Sequence, residues 1–415
     1  MRKHWYLGSL VGLLVVGATG CSSQSDGGTT LSNLTNSSQT SQMSGQMSSQ
    51  MSGQMSDSSQ TDTQKAAQQL GPQGFSQIHM VNAKDGWAIY THLPYQWVLK
   101  TTDGGAHWMN VTPEGSTTRG GIEGQFLNAD EAVTEVLPYE LQQDVVLNVT
   151  QNGGTWQPSV MPGALMSGEH VFAAQSPEAL WALMNNYLWK STDGGANWSK
   201  TGSKFGSQSK GSLPQLAGDN GVLFTTKNQG WISGLNEQFG QPFLYHTTNG
   251  GVSWVSQKLA LPATASQDQI TTDVPHFVSQ TTGFLPVFLM HGSTHLLELF
   301  TTSDGGQTWQ GSTSIHVGSE IKAPIYVGTS GVWALKQQIQ GSTSATQTVL
   351  YRTTAGANWQ VVAKNPFGSH SGQVTEIDFP TSTEGFAILM TNQGSQLLHT
   401  TNGGQTWSVI PASIS

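Results

Sequence analysis

The sequence predicts an all-β chain folded as a seven-bladed β-propeller with four-stranded antiparallel blades, and three observations support this prediction. Short turns that end in tryptophan occur seven times, at intervals of 42 to 56 residues. Each interval contains signals for four short strands, and Gly, Asn and Asp turns separate them. A long repeat period marks a repeat fold, and four-stranded units repeated around an axis form a propeller. The alternative is a parallel β-helix, whose repeats are usually shorter and do not need four strands each.

The first repeat shows how each unit is predicted to fold. Its composition predicts strands from Ser76 to Val81, from Trp87 to Tyr90 and from Trp97 to Lys100. A fourth strand begins at Trp108 and runs toward Val111. Because turn residues separate these segments, we expect one four-stranded blade per repeat.

The tryptophan-ended turns are predicted to brace the blades. Glycine supplies a positive φ, and an Asp or Asn side chain accepts backbone N–H groups across the turn. The tryptophan ring then covers the turn and joins the core between sheets. The turns that end at Trp156 and Trp359 are one residue shorter, so we expect them to differ or to be looser. The residues predicted for this structural role are Asp103, Trp108, Asn152, Trp156, Asp193, Trp198, Asn249, Trp254, Asp304, Trp309, Trp359, Asn402 and Trp407.

These turns resemble the Asp-box, or bacterial neuraminidase repeat, with the pattern Ser/Thr-x-Asp-x-Gly-x-Thr-Trp. The copy from Thr302 to Trp309 matches at every position. Asn249 and Asn402 replace the Asp in two other copies, and Ala355 replaces it in a third. The resemblance implies a propeller with Asp-box turns. Because the polar residue recurs, we expect it to support the fold and not to catalyse a reaction.

A second resemblance covers about residues 76 to 410. The segment Asp85-Gly86-Trp87-Ala88, followed by Leu99-Lys100-Thr101-Thr102-Asp103-Gly104-Gly105, is similar to the photosystem II stability/assembly factor family. That resemblance implies a propeller that binds a membrane protein during assembly, partly through arginines. The predicted mature chain has two arginines, Arg119 and Arg352, so its partner surface is expected to differ. Similar domains in non-photosynthetic bacteria are secreted or lipid-anchored.

The N-terminal residues predict export and lipidation. Residues 1–20 have a basic start, an apolar run and small residues before Cys21, as in a bacterial lipoprotein signal. We therefore predict a signal peptide at 1–20, a lipidated Cys21 and an extracytoplasmic, membrane-anchored protein. Residues 21–72 are rich in Ser and Gln and predict a disordered tether, which leaves the propeller at 73–415.

The tether contains evenly spaced methionines, Met43, Met47, Met51 and Met55. Thioethers bind Cu(I), so this repeat could hold copper, but a duplicated linker is the simpler interpretation. We therefore predict no cofactor and no metal.

Composition excludes several partners. Charged residues make up 10% of the chain, and acidic residues outnumber basic ones by 25 to 16. Nucleic acid binding needs a basic face, so we expect no nucleic acid partner, and contact with the membrane only through the N-terminal lipid. The expected partner is a protein or a cell-wall or extracellular glycan, and the expected oligomeric state is a monomer.

Sialidases bind their substrate with three arginines, and the predicted mature chain has only two. Sialidase activity is therefore excluded. Other Asp-box enzymes cleave glycosides with two carboxylates, and the candidates lie in the first turns of repeats: Asp85, Asp130, Glu131, Glu178 and Glu384. Such residues are also ordinary turn residues. We predict no catalytic residue.

Two further sets of residues are candidates for ligand binding. His291 and His295 flank a hairpin turn and could offer two metal nitrogens, but no further ligand is evident. Loop aromatics Tyr95, Tyr139 and Tyr187 are the residues that a lectin would use. The predicted function is a lipid-anchored, non-enzymatic binding or assembly scaffold; a glycoside hydrolase or a lectin is the alternative.

Overall fold

Short antiparallel strands account for nearly all regular structure in this chain. The computed structural model describes residues 74–92, 95–114, 120–138, 144–165, 170–184, 186–214, 221–318, 323–340, 344–354, 356 and 358–415. Within these ranges lie 31 strands in six hydrogen-bonded sheets and one 3-10 helix, Ala263–Gln267. The predicted all-β fold with four-stranded antiparallel sheets is confirmed. The predicted lipidation site Cys21, the methionine repeat, Arg119, Tyr139 and Ala355 lie outside the described residues.

The first three sheets follow one another along the chain. Sheet 1 has the order β1-β2-β3-β4-β31, with strands Gly74–Met80, Gly86–His92, Tyr95–Thr101, His107–Asn110 and Ser413–Ile414. Sheet 2 has the order β5-β6-β7-β8, with strands Gly120–Phe126, Ala132–Pro138, Asp144–Thr150 and Trp156–Leu165. Sheet 3 has the order β9-β10-β11-β12, with strands His170–Ala174, Leu180–Met184, Tyr187–Ser191 and Ser199–Thr201.

The remaining three sheets complete the described chain. Sheet 4 runs β13-β14-β15-β16, with strands Gly221–Phe224, Gly230–Gly234, Phe243–Thr247 and Val255–Ser256. Sheet 5 holds β17 to β26, which are Gln269–Thr272, His276–Phe277, Gly283–His291, Thr294–Thr302, Gln310–Gly311, Ile315–Gly318, Ile325–Gly328, Gly331–Gln340, Ser344–Thr353 and Gln360–Lys364. Sheet 6 runs β27-β28-β29-β30, with strands Gln373–Asp378, Gly385–Thr391, Gly394–Thr400 and Ser408–Val409.

Sheet 5 differs from the expected pattern because it contains two tryptophan-ended turns in one hydrogen-bonded sheet. Strand β22 pairs antiparallel with β20 and meets β24 in parallel at one position, Gly318 opposite Gln337. Gly318 has φ +101°, and a Cβ there would lie 1.7 Å from the Gln337 carbonyl oxygen. Glycine therefore permits the close approach that joins the two halves of sheet 5.

Strand boundaries in sheet 1 agree closely with those expected from the sequence. The chain terminus adds a strand that the sequence did not predict: β31 lies parallel to β4, with Ser413 opposite His107 and Ile414 opposite Trp108. Backbone bonds from Ser413 N to Ala106 O (3.0 Å) and from Ser415 N to Trp108 O (2.9 Å) hold it. The end of the chain thus pairs with the sheet at its described beginning.

Neighbouring sheets share apolar cores, and sheet 6 also shares one with sheet 1. An aromatic pair recurs in these cores. Trp181 of β10 stacks on Phe224 of sheet 4, with 4.1 Å between ring centroids and 4° between planes. Trp333 of β24 stacks in the same way on Phe379 (4.3 Å, 4°). Each such pair contributes about 0.5–1.5 kcal/mol beyond the apolar area that it buries.

Three buried tryptophans, Trp87, Trp181 and Trp333, each have a cationic side chain over the ring. The cation comes from the neighbouring strand of the same sheet. Lys100 and Lys190 each lie 5.2 Å from the ring centroid of the tryptophan directly across the strand pair. Arg352 lies 4.5 Å above Trp333 and donates from Nη2 to Ser330 O at 2.8 Å. Arg352 therefore makes structural contacts. No helix within the described ranges is long and apolar enough to span a membrane.

Candidate functional site

Five tryptophan-ended turns share one hydrogen-bond pattern. In the turn of Thr302, the hydroxyl donates to Asp304 Oδ1 (2.7 Å) and accepts the N–H of Gly306 (2.9 Å). Asp304 Oδ1 also accepts the N–H of Thr308 at 3.0 Å. The same three bonds occur in the turns that begin at Thr101, Ser191, Thr247 and Thr400. In these turns the polar side chain is engaged in bracing the backbone.

Asp and Asn differ in these turns only at the second side-chain atom. Asp304 Oδ2 accepts the Thr308 hydroxyl proton at 2.6 Å, whereas Asn402 Nδ2 donates to Thr406 Oγ1 at 2.8 Å. Hydrogen bonds from the Thr308 side chain and backbone lower the pKa of Asp304 to about 2. Bonds from the His107 backbone and side chain likewise lower the pKa of Asp103 to about 2. Both aspartates are therefore ionised near neutral pH.

The shorter turn that ends at Trp156 has a different geometry. Asn152 Oδ1 accepts from the N–H groups of Gly154 (3.2 Å) and Thr155 (2.8 Å), one position earlier than in the full-length turns. The Trp156 indole N–H donates to Val111 O in sheet 1 at 2.6 Å, instead of to a carbonyl within its own turn. The missing residue thus changes which backbone N–H groups Asn152 binds, whereas an indole bond to a residue outside its own turn also occurs in the full-length turns of Trp198 and Trp309.

The predicted glycosidase carboxylates lie in separate turns and are engaged there. Asn82 Nδ2 donates to Asp85 at 2.8 Å, and Asn128 Nδ2 donates to Glu131 at 2.7 Å. Lys100 pairs with Asp130 at 3.0 Å. The remaining two contact Ser176 and His399: Glu178 accepts the Ser176 hydroxyl proton at 3.0 Å, and Glu384 meets His399 Nε2 at 2.6 Å. The structure gives each of these carboxylates a local partner.

A carboxyl pair that sequence reasoning missed lies on β27. Glu376 and Asp378 are two residues apart, so both face the same side of that strand. Glu376 Oε2 accepts the backbone N–H of Ile78 at 2.8 Å, and Asp378 Oδ2 accepts that of Met80 at 2.9 Å. Burial and the nearby Asp378 raise the pKa of Glu376 to about 8. Two acids on a strand of otherwise apolar and neutral residues were the signal in the sequence.

A cleft of about 640 Å³ lies beside the turns of sheets 4 and 5. Gln257, one of the lining residues, is held by two tryptophans. The indole N–H groups of Trp231 and Trp309 donate to Gln257 Oε1 at 3.0 and 3.2 Å. His246 stacks on Trp231 at 4.6 Å, and burial lowers its pKa, which leaves a neutral imidazole at pH 7. The residues that line the cleft are Thr226, Asn228, Gln229, His246, Thr248, Val255, Ser256, Gln257, Lys258 and Gln307.

The lining of this cleft is mostly neutral and polar, with a single cation. Most of the lining side chains are amides or hydroxyls that donate and accept hydrogen bonds. Lys258 supplies one positive charge, and no carboxylate lies among the lining residues. The volume falls within the range typical of small-ligand pockets. The sequence did not indicate this cleft, because its residues come from two neighbouring repeats.

The other candidates are placed apart. His291 Nδ1 lies 2.9 Å from Asp268 Oδ1, while His295 lies opposite Met290 in the hairpin. In the described ranges, no three or more His, Cys, Asp or Glu residues are grouped to hold a metal ion. Tyr95 is exposed, and Lys200 Nζ covers the Tyr187 ring at 4.2 Å. Neither Tyr95 nor Tyr187 is among the residues that line the cleft.

Of three kinds of comparison with known proteins, only that with solved structures gave matches for this chain. No protein-family model matches the sequence, and no curated protein matches it. An uncharacterized protein of Listeria monocytogenes EGD-e is similar in structure, with 8% identity and a TM-score of 0.49 over 83% of this chain and 96% of that chain. A polysaccharide lyase of family PL25, an ulvan lyase, has 10% identity and a TM-score of 0.47 over 80% and 95%.

A variant of the Aleuria aurantia lectin, solved in complex with alpha-methyl-L-fucoside, is a third similar structure. It has 12% identity and a TM-score of 0.36 over 67% of this chain and 89% of the lectin. At such identities a resemblance concerns the fold alone. The described residues have an all-β fold built mostly of four-stranded antiparallel sheets.

Proposed function

We propose that this protein is a non-enzymatic binding or assembly scaffold, held outside the cell membrane by a lipid on Cys21 and a tether over residues 21–72. In this proposal, residues 73–415 form a seven-bladed propeller with Asp-box turns, similar to the photosystem II stability/assembly factor family. Sheet 5 then corresponds to two blades, because it contains two tryptophan-ended turns and two sets of long antiparallel hairpins. The shared core of sheets 6 and 1 supports a ring.

One observation carries the binding role: the cleft beside sheets 4 and 5 is lined by amides and hydroxyls and lacks carboxylates. Neutral hydrogen-bonding groups bind hydroxyl-rich ligands, whereas glycoside hydrolysis needs two acids. We therefore propose that the cleft binds a cell-wall or extracellular glycan. A protein partner is the competing possibility.

Two matched variants test the cleft. Gln307 lines the cleft, and Gln405 holds the same position in the turn that ends at Trp407, away from it. Gln307→Ala is expected to weaken glycan binding about five-fold, the loss of roughly 1 kcal/mol for one hydrogen bond, and Gln405→Ala is expected to leave binding unchanged. Calorimetry against a panel of soluble cell-wall oligosaccharides measures this. Equal effects of the two substitutions would reject the proposal that the cleft binds a glycan. Binding of a protein partner with an affinity that Gln307→Ala leaves unchanged would also reject it.

A Cys21→Ala variant tests the membrane anchor. Without the thiol no lipid can be attached, so the protein is expected to move from the membrane fraction to the soluble extracytoplasmic fraction. Fractionation and immunoblotting measure the distribution. Persistence of the variant in the membrane fraction would show that the lipid anchor is wrong.

Glycoside hydrolysis is the second candidate, and the β27 carboxyl pair is the observation that favours it. Burial raises the pKa of Glu376, as a general acid requires, and Asp378 lies two residues away on the same face of β27. However, the side chain of Asp378 is only 4% exposed, and both carboxyls accept hydrogen bonds from backbone N–H groups of β1. These contacts restrict access of a substrate to the pair. Release of reducing ends from the same oligosaccharides, abolished by Asp378→Asn, would support hydrolysis; an inactive native protein would reject it.

A further inference from the structure

Neighbouring sheets are joined by a repeated side-chain contact. Gln77 of β1 donates from Nε2 to Gly124 O (2.8 Å) and accepts the Gly124 N–H at Oε1 (3.1 Å). Gln125 of β5 donates to Phe172 O (2.8 Å) and accepts the Ala174 N–H (2.8 Å). In both interfaces, a carboxamide uses its donor and its acceptor on the first strand of the next sheet.

The same contact joins sheet 5 to sheet 6. Gln337 of β24 donates from Nε2 to Val374 O (2.6 Å) and accepts the Val374 N–H at Oε1 (2.9 Å). Three interfaces thus rely on an amide that supplies one proton and accepts another.

The interface between sheets 6 and 1 has carboxyls where the others have carboxamides. Glu376 lies opposite Ile388 in its strand pair, as Gln77 lies opposite Ile89. Asp378 lies opposite Phe386, the position that Gln125 holds opposite Val133.

Both carboxyls fill the acceptor half of the contact, through the N–H groups of Ile78 and Met80. The second oxygen of Asp378, Oδ1, is buried and has no hydrogen-bond partner among the residues that the structure describes. The donor half of the contact, which the amide nitrogen supplies elsewhere, is missing.

We propose that the Glu376–Asp378 pair binds one proton, which supplies the missing donor, so that the contact between sheets 6 and 1 strengthens at low pH and weakens at high pH. A protonated carboxyl resembles a carboxamide in presenting one donor and one acceptor. Uptake of one proton by the pair also removes the repulsion between two neighbouring carboxylates. No other reactant is needed.

The groups around the pair come from three strands. Asp378 lies beside Glu376 on β27, and its charge disfavours a second negative charge. Burial raises the pKa of the Tyr326 hydroxyl on β23, and the nearby Asp378 raises it further. His79 of β1 has Nδ1 at 3.4 Å from Asp378 Oδ2, and its side chain is 40% exposed.

The direction of the pH effect follows from the raised pKa of Glu376. The folded chain keeps this proton up to a pH of about 8, whereas an unfolded glutamate loses it near 4.5. Between these values the folded state binds more protons, so stability falls as pH rises, and below the lower value the full contribution is present.

The first test compares melting temperatures of the full chain and two variants from pH 5 to pH 8.5. The native Tm should decrease between pH 5 and pH 8.5, and in Glu376→Gln this decrease should be smaller by about 2 °C or more. A tenfold change in the folding equilibrium shifts Tm by about this amount in a domain of this size. Gln77→Glu places a carboxyl in the sheet 1–sheet 2 interface and should steepen the fall by a similar amount. The difference between proteins is decisive, because Glu298, His246 and His276 also have shifted pKa values. A Glu376→Gln profile parallel to the native profile overturns the proposal.

A second test uses the native chain alone and needs no variant to fold. Amide hydrogen exchange gives protection factors for Ile78 and Met80, which the carboxyls hold, and for Gly124 and Ala174, which the glutamines hold. Between pH 6 and pH 9 the protection factors of Ile78 and Met80 should decrease about tenfold or more relative to those of Gly124 and Ala174. Equal changes in both pairs of amides would overturn the proposal.

Discussion

At the scale of single residues, the tryptophan-ended turns show why Asp and Asn exchange freely. Each turn needs one side-chain oxygen that accepts the Ser/Thr hydroxyl proton and a backbone N–H four residues on, and both residues supply it. The second atom adapts to its neighbour: the Asp304 oxygen accepts from Thr308, and the Asn402 amide donates to Thr406. The position therefore selects geometry and not charge.

Substitution of Asp304 tests this interpretation. Asp304→Ala removes the acceptor for two backbone N–H groups and is expected to lower the free energy of unfolding by about 1–2 kcal/mol. Asp304→Asn keeps that oxygen, as the native Asn402 turn does, and is expected to change stability by less than about 0.5 kcal/mol. Urea unfolding at pH 7 measures both. Similar losses in the two variants would contradict the role of the oxygen.

Acid titration gives a second prediction at this scale. Because the pKa values of Asp103 and Asp304 are lowered to about 2, unfolded aspartates bind protons before folded ones do. Stability from these turns is therefore complete above pH 4 and is lost as pH falls toward 2. Unfolding midpoints measured between pH 5 and pH 2 should fall less in Asp304→Asn than in the native chain. An unchanged slope in the variant would contradict the prediction.

At the scale of elements, the interfaces between sheets depend on stacked aromatic pairs. Trp181 is fully buried, and its ring lies flat on Phe224 of the next sheet. Lys190, opposite Trp181 on β11, covers the other side of the ring. A single side chain thus links two strands of sheet 3 to sheet 4.

Truncation of this tryptophan should be among the costliest single changes. Trp181→Ala is expected to destabilise the fold by about 3–5 kcal/mol, because it removes a large buried side chain and leaves a cavity. Val361→Ala is the control, since Val361 is 52% exposed on β26 and should change stability by less than about 0.5 kcal/mol. Denaturant midpoints compare the two. A loss below about 1 kcal/mol for Trp181→Ala would contradict the importance of the stack.

At the scale of the whole molecule, two long-range contacts join the ends of the described chain. Strand β31 pairs with β4, and the β27 carboxyls bind the backbone of β1 across 298 residues. Sheets 6 and 1 also share an apolar core that includes Phe386 and Met80. The stability of both sheets therefore depends on residues at both ends.

Removal of residues 411–415 tests the contribution of β31. The deletion eliminates backbone hydrogen bonds between this segment and residues 106–110, and it is expected to cost about 2–4 kcal/mol at roughly 1 kcal/mol per bond. A Gly-Ser extension added after Ser415 serves as the control and should be neutral. Thermal unfolding compares the three proteins. An unchanged melting temperature after deletion would show that β31 does not stabilise sheet 1.

The sequence by itself determined the repeat, the order of the four consecutive strands in sheets 2, 3, 4 and 6, and the polar residues of the turns. These features depend on local spacing, because glycine, Asp or Asn and tryptophan act within one turn of about eight residues. Only the tertiary structure decided the joining of sheet 5, the cleft with Gln307, and the pairing of Glu376 with Ile78. Those contacts link residues that are distant in the chain, and no local pattern encodes which strands of different repeats approach each other.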